Sequence, residues 1–143
     1  MKVITIINGP NLNLTGKREQ DKYGNIRFDD FLKNEIIPIA AKNDYEIDYF
    51  QSNHEGDIID KIHDCEGNSH YIIINPGALT HYSFAIHDAI KAVSTDVIEV
   101  HISNIFNREK WREKSVISPV VKAIIIGFGL EGYKLALLYI TGL

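Results

Sequence analysis

"YIIIN", residues 71 to 75, is apolar without interruption until it stops at an asparagine. A strand with one face in water alternates apolar and polar residues. A run this continuous needs cover on both faces, the condition of a strand inside a parallel sheet. Working outward, "KVITII" (2 to 7), "EIDYFQ" (46 to 51), "VIEVHI" (97 to 102) and "KAIIIG" (122 to 127) read as further strands. Longer patterns with helical spacing separate them. In "FDDFLKNEIIPIAAKN" (28 to 43), Phe28, Phe31, Leu32, Ile36 and Ile39 fall on one face, and Pro38 predicts a kink or a shortened helix. "EGDIIDKIHDCE" (55 to 66), "YSFAIHDAIKAV" (82 to 93) and a C-terminal "EGYKLALLYITGL" read as three more helices.

Strands alternating with helices through right-handed crossovers build an α/β, doubly wound, five-stranded parallel sheet, for which the flavodoxin-like order 2-1-3-4-5 is expected. A chain of 143 residues, 45% hydrophobic, suits a single domain over residues 1–143. The net charge of −4 and pI near 5.8 give no footprint for nucleic acid or an anionic membrane surface. With Cys65 as the only cysteine, no intrachain disulfide is available. The first residues do not read as a signal peptide and no apolar run is long enough for a spanning helix, so a cytoplasmic protein is expected.

This fold places ligands beyond the carboxyl ends of the strands, at the switch point between the first and third. Polar clusters stand at these ends: "NGPNLN" after strand one, "NPGALTHYS" after strand three and "EVHISN" closing strand four. Asn8, Gly9 and Pro10, like Asn75, Pro76 and Gly77, are ordinary turn formers when taken alone. Their convergence on one crevice is the signal. His63 and His70 read as surface residues and His54 as a helix cap. His81 and His101 instead stand at strand ends, and Glu99 lies on the same strand face as His101. With no HExxH spacing and the lone Cys65 placed in a helix, no metal site is expected.

"GFGLEG" (127 to 132) fits G-x-G-x-x-G after a strand and before a helix. A dinucleotide site also needs an acidic residue on a further strand about 20 positions on, and none follows. The glycines therefore read as a tight turn and close helix packing, and no cofactor is expected. A phosphoacceptor would want Asp where Asn75 stands. A flavin-phosphate loop would want a Ser/Thr/Gly-rich turn in place of "NGPNLN".

In order along the chain, "INGPNLN", "REQDKYG", "FQSNHEG", "IINPGALTH", "VIEVHISN", "WREKS" and "GFGLEGYKLAL" resemble the type II 3-dehydroquinate dehydratases. That resemblance implies the reversible anti dehydration of 3-dehydroquinate to 3-dehydroshikimate through an enolate, without a Schiff base. The pathway would be shikimate (aromatic amino acid biosynthesis) or quinate breakdown, and the assembly a homododecamer built from trimers. Tyr23 matches the general base and Arg18 the residue that activates it. A free tyrosine, with pKa near 10, is only about one part in a thousand ionised at pH 7, so a base tyrosine needs a cation beside it. Arg108 and Arg112 are second contributors to that charge. His101 matches the general acid, with Glu99 orienting its imidazole, and Asn11 orders a water against the enolate oxygen. Asn75, His81 and Arg112 match substrate-binding positions, the N–H groups of Ile102 and Ser103 the carboxylate site, and Asp88 a residue completing a neighbouring subunit's site. His87 stands where many relatives have arginine, and Val116 where tyrosine is common. A non-catalytic flavodoxin-like binding or scaffold module is the alternative.

Overall fold

The computed structural model describes residues 1–17, 21 and 24–142. Five strands, β1 (Lys2–Asn8), β2 (Tyr45–Gln51), β3 (Tyr71–Asn75), β4 (Asp96–His101) and β5 (Ala123–Ile126), form one all-parallel sheet in the order β2-β1-β3-β4-β5. The expected strands are all present, with ends that agree to within one residue. The helices α1 (Phe28–Phe31), α2 (Ile37–Lys42), α3 (Glu55–Asp64), α4 (Phe84–Ala92) and α5 (Glu131–Ile140) connect and cover them.

Period-two alternation sends each buried strand to two cores. Ile73 joins Ile4, Ile6, Ile98 and Val100 under Phe28, Phe31, Ile36, Tyr133 and Leu137. Ile72 and Ile74 join Ile7 and Val97 under Ile58, Ile62, Ile86 and Ile90. This two-sided burial is why Ile72, Ile73 and Ile74 are all apolar.

Helical structure continues to Lys42, so Pro38 does not shorten the pattern, the second of the two expected outcomes. Between α1 and α2 the backbone runs through a π-helical stretch, Leu32–Ile36, and Pro38 falls in the first turn of α2. A π turn absorbs the bond that proline cannot donate, so helical spacing survives across it. His54 occupies the N-cap position of α3 without a side-chain cap. Ser52 ties the chain entering the helix to its first turn: its Oγ accepts from the His54 N–H at 2.9 Å and donates to Asp57 at 3.0 Å. Cys65 is the C-cap of α3, just beyond its last turn, and is buried.

"GFGLEG" packs as its glycines suggest. Gly127 and Gly129 take positive φ, and a Cβ on Gly132 would lie 3.1 Å from Val100 Cγ1, so α5 sits hard against the sheet. Gly9 is more constrained still, because a Cβ there would lie 2.4 Å from the Pro76 carbonyl oxygen. Backbone cannot yield as a flexible side chain can. Gly9→Ala is therefore expected to destabilise the fold by about 1–3 kcal/mol or more, read as a lower urea midpoint with unchanged slope; a midpoint equal to wild type would show that the two loops separate freely.

Candidate active site

β1 and β3 are neighbours although β2 intervenes in sequence, so the loops that leave them diverge and open a crevice between. Asn8 and Asn75 are register partners at this edge, and the Gly9 N–H donates to the Asn75 carbonyl at 2.8 Å. Beyond it lies a pocket of about 90 Å³ lined by Asn11, Asn75, His81, His101, Ile102 and Ser103, with Arg108 and Arg112 at its wall. At roughly 10–15 Å³ per water, the space takes one ring-sized molecule.

Each side chain has an identifiable support. Asn11 adopts a left-handed backbone (φ 70°), which asparagine tolerates, and its N–H donates to Asn53 Oδ1 at 3.0 Å. Asn75 gives its Nδ2 hydrogen to the Tyr133 hydroxyl at 2.9 Å and accepts the Gly77 N–H at 3.1 Å. Tyr133 in turn donates to Asn8 Oδ1 at 2.7 Å. Burial pushes the Tyr133 phenol far above its ordinary value, so this hydroxyl is a neutral strut.

Glu99 and His101, two residues apart on β4, are both buried and hydrogen-bonded to each other through Glu99 Oε2 and His101 Nε2. The other Glu99 oxygen accepts from the Ser118 hydroxyl at 2.8 Å. An ionised carboxylate only accepts, so Nε2 carries hydrogen and the His101 Nδ1 is the atom left for a ligand. His81 is turned the other way. Its Nδ1 lies 2.7 Å from the Lys114 carbonyl, which can only accept, so in the neutral ring Nε2 is an acceptor. Desolvation lowers the His81 pKa, with the His101 and Arg112 charges acting in the same direction. Trp111 meets His81 edge-on at 5.2 Å and lies under the Arg112 guanidinium at 4.1 Å. Arg112 also pairs with Glu109, and Arg108 donates to Ser103 Oγ at 3.2 Å.

Among the described residues, the lining includes two guanidinium groups and no carboxylate. Such a pocket suits a small anion with several hydroxyl groups. The structure brings Asn11, Asn75, His81, His101, Ile102, Ser103 and Arg112 to this pocket, with Glu99 directly behind His101. Asp88 is elsewhere: it is exposed on α4, and its carboxylate lies 3.0 Å from the His87 Nδ1. Val116 is buried, its N–H on the Thr80 carbonyl at 2.9 Å. Arg18 and Tyr23 lie outside the described residues. Asn53, Tyr133 and Ser118 did not emerge from sequence reasoning. Tyr133 carried a signal, since a tyrosine on the apolar face of a helix must find a polar partner for its hydroxyl.

In a histidine-resolved NMR titration, His81 is expected to change charge below the ordinary imidazole value of 6.5. The folded form then binds fewer protons than the unfolded chain from 6.5 down to that lower value. His81's share of stability is complete above this window and lost as pH falls through it. Titration at or above 6.5 would contradict the neutral, acceptor assignment.

The chain matches the family model of class II dehydroquinases over residues 2–141. It is 54% identical to a 3-dehydroquinate dehydratase of Halalkalibacterium halodurans over 138 residues, covering 96% of this chain and 94% of that one. Against the enzyme of the same name from Caldicellulosiruptor bescii it is 56% identical, with the same coverage. The crystal structure of a type II dehydroquinase from Butyrivibrio crossotus superposes with a TM-score of 0.93 at 46% identity, covering 99% of this chain and 98% of that one.

Proposed function

The chain belongs to the class II dehydroquinases, and from that premise we propose that it catalyses the reversible anti dehydration of 3-dehydroquinate to 3-dehydroshikimate through an enolate, with no Schiff base. The observation that carries this reading is the pocket, where His101, backed by Glu99, stands beside two guanidinium groups at the β1/β3 switch point.

Tyr23, ionised beside Arg18, takes the proton next to the ketone, and negative charge develops on the ketone oxygen. Asn11 orders a water against that oxygen. His101 then passes a proton from Nδ1 to the departing hydroxyl, which leaves as water, while Glu99 on Nε2 stabilises the imidazolium before transfer and fixes the ring afterwards. Proton return from Tyr23 to His101 through solvent restores the resting state. Asn75, neutral His81 and Arg112 hold the substrate, and the N–H groups of Ile102 and Ser103 take its carboxylate, with Arg108 and Arg112 adding charge.

Three displaced tyrosines support a base drawn from elsewhere. Tyr49 is pushed up to about 12, and Tyr71 and Tyr133 are also raised, each chiefly by burial. None is prepared to ionise. Asp88, exposed and away from its own pocket, is in keeping with service to a neighbouring subunit in a homododecamer of trimers, and the exposed Tyr82 and Phe84 beside it offer apolar area for that contact. The setting proposed is cytoplasmic, in the shikimate pathway or in quinate breakdown; no helix among the described residues is long and apolar enough to cross a membrane.

The direct test is turnover of 3-dehydroquinate followed by ultraviolet absorbance of the conjugated product; binding without turnover would return the non-catalytic alternative. Arg18→Gln is expected to spare the fold and most substrate affinity but lower kcat by about 10²- to 10³-fold, the equivalent of roughly 3–4 kcal/mol. The basic group governing kcat/KM should move upward toward a free tyrosine, and an unshifted profile would remove Arg18 from that role. No lysine among the described residues lines the pocket, so borohydride with substrate is expected to leave activity intact. A lysine adduct found by mass spectrometry would overturn the mechanism.

A further inference from the structure

The segment Lys114–Ser118 reaches His81 directly and His101 by way of Glu99. At one end the Lys114 carbonyl takes the His81 Nδ1 hydrogen at 2.7 Å. In the middle, Val116 is tied to the Thr80 carbonyl and Ile117 is fully buried. At the other end the Ser118 hydroxyl donates to Glu99 Oε1 at 2.8 Å. The segment's shape is set locally, since Ser115 Oγ accepts the N–H groups of Ile117 at 3.1 Å and Ser118 at 2.9 Å, and Pro119 follows.

Glu99 has no solvent exposure. Its two oxygens therefore depend on protein donors, and among the described residues they divide the work: Oε2 meets His101 and Oε1 meets Ser118. A carboxylate held at one oxygen only can swing about its terminal bond, and the imidazole it orients follows. A hydroxyl on the second oxygen stops that rotation.

We infer that Ser118 is a positioning residue for proton delivery: by fixing Glu99 it holds the His101 imidazole in the geometry that protonates the leaving hydroxyl. This rests on the dehydratase reading above and deepens it. Ser118 does not line the pocket, so its removal should slow the chemical step and leave substrate binding almost untouched. The same segment holds His81 by a main-chain carbonyl, a contact that no side-chain change at Ser118 removes. The effect should therefore run through Glu99 and His101.

The experiment compares kcat and KM for 3-dehydroquinate in wild type, Ser118→Ala, Ser118→Cys and Ser118→Thr, with thermal melting as the check on folding. Loss of a hydrogen bond to a charged group predicts kcat lower by about 10- to 100-fold in the alanine and cysteine variants, with KM within about threefold. Threonine keeps the hydroxyl and should return kcat to within about threefold of wild type. If the alanine variant fails to fold, the nearly isosteric cysteine carries the test. A cysteine or alanine variant with near-normal kcat, a loss confined to KM, or a threonine variant as impaired as alanine would overturn the inference. A wild-type protein that does not turn over substrate removes the dehydratase reading itself; an active wild type matched by active alanine and cysteine variants removes only the role of Ser118.

Discussion

Two buried asparagines at the ends of adjacent strands constrain everything built above them. Asn8 and Asn75 are register partners where β1 and β3 run out, and both are withdrawn from water. An amide buried without partners costs several kcal/mol. Here the Tyr133 hydroxyl joins them, donating to Asn8 and accepting from Asn75. That hydroxyl arrives because α5 lies close to the sheet, where a Cβ on Gly132 would press on Val100. The network thus fixes at once the register of the two strands, the seat of α5 and the orientation of the Asn75 amide in the pocket. Because every member is satisfied, it can favour one arrangement over near alternatives.

The second organising feature is the placement of charge in layers. The pocket wall carries Arg108 and Arg112, while the buried carboxylate of Glu99 sits behind His101 rather than in the wall. A carboxylate in the wall would repel an anionic ligand, and one absent altogether would leave the imidazole unaided. Behind the ring it does neither. The two histidines illustrate how environment divides one chemistry: His101 has a buried carboxylate on its Nε2, whereas His81 has a carbonyl on its Nδ1 and is desolvated close to Arg112, which lowers its pKa.

The strands, their parallel order and the edge where polar residues gather were legible because each is dictated by a short-range pattern: continuous apolar runs, helical spacing between them, and an abrupt asparagine or histidine at each strand end. The π-helical passage before Pro38 was not legible, since the spacing of Phe28, Phe31, Leu32, Ile36 and Ile39 is nearly the same with or without one widened turn. The residues that approach the crevice from strand ends followed from topology. Ser118 and Asn53 did not, because they act on the site from loops distant in sequence, Ser118 on Glu99 and Asn53 on Asn11, and neither position has a periodicity to betray it. Asp88 shows the reverse case, a position legible from motif alone that a single chain leaves outside its own pocket.

Burial also explains why a tyrosine base would have to come from outside the core. Withdrawal from water disfavours the phenolate, and the tyrosines that the sheet encloses show it: Tyr49 and Tyr133 are both driven upward, although each hydroxyl is hydrogen-bonded to an asparagine amide. Neutral partners do not reverse the cost of desolvation; a cation does. A guanidinium needs its own hydration or an anionic partner, and burial removes the first. On the proposed mechanism the division of labour follows from this. The sheet holds the acid, because an imidazole backed by a carboxylate tolerates burial, and the segment between β1 and α1 supplies the base, because a tyrosine made acidic by arginine does not belong inside.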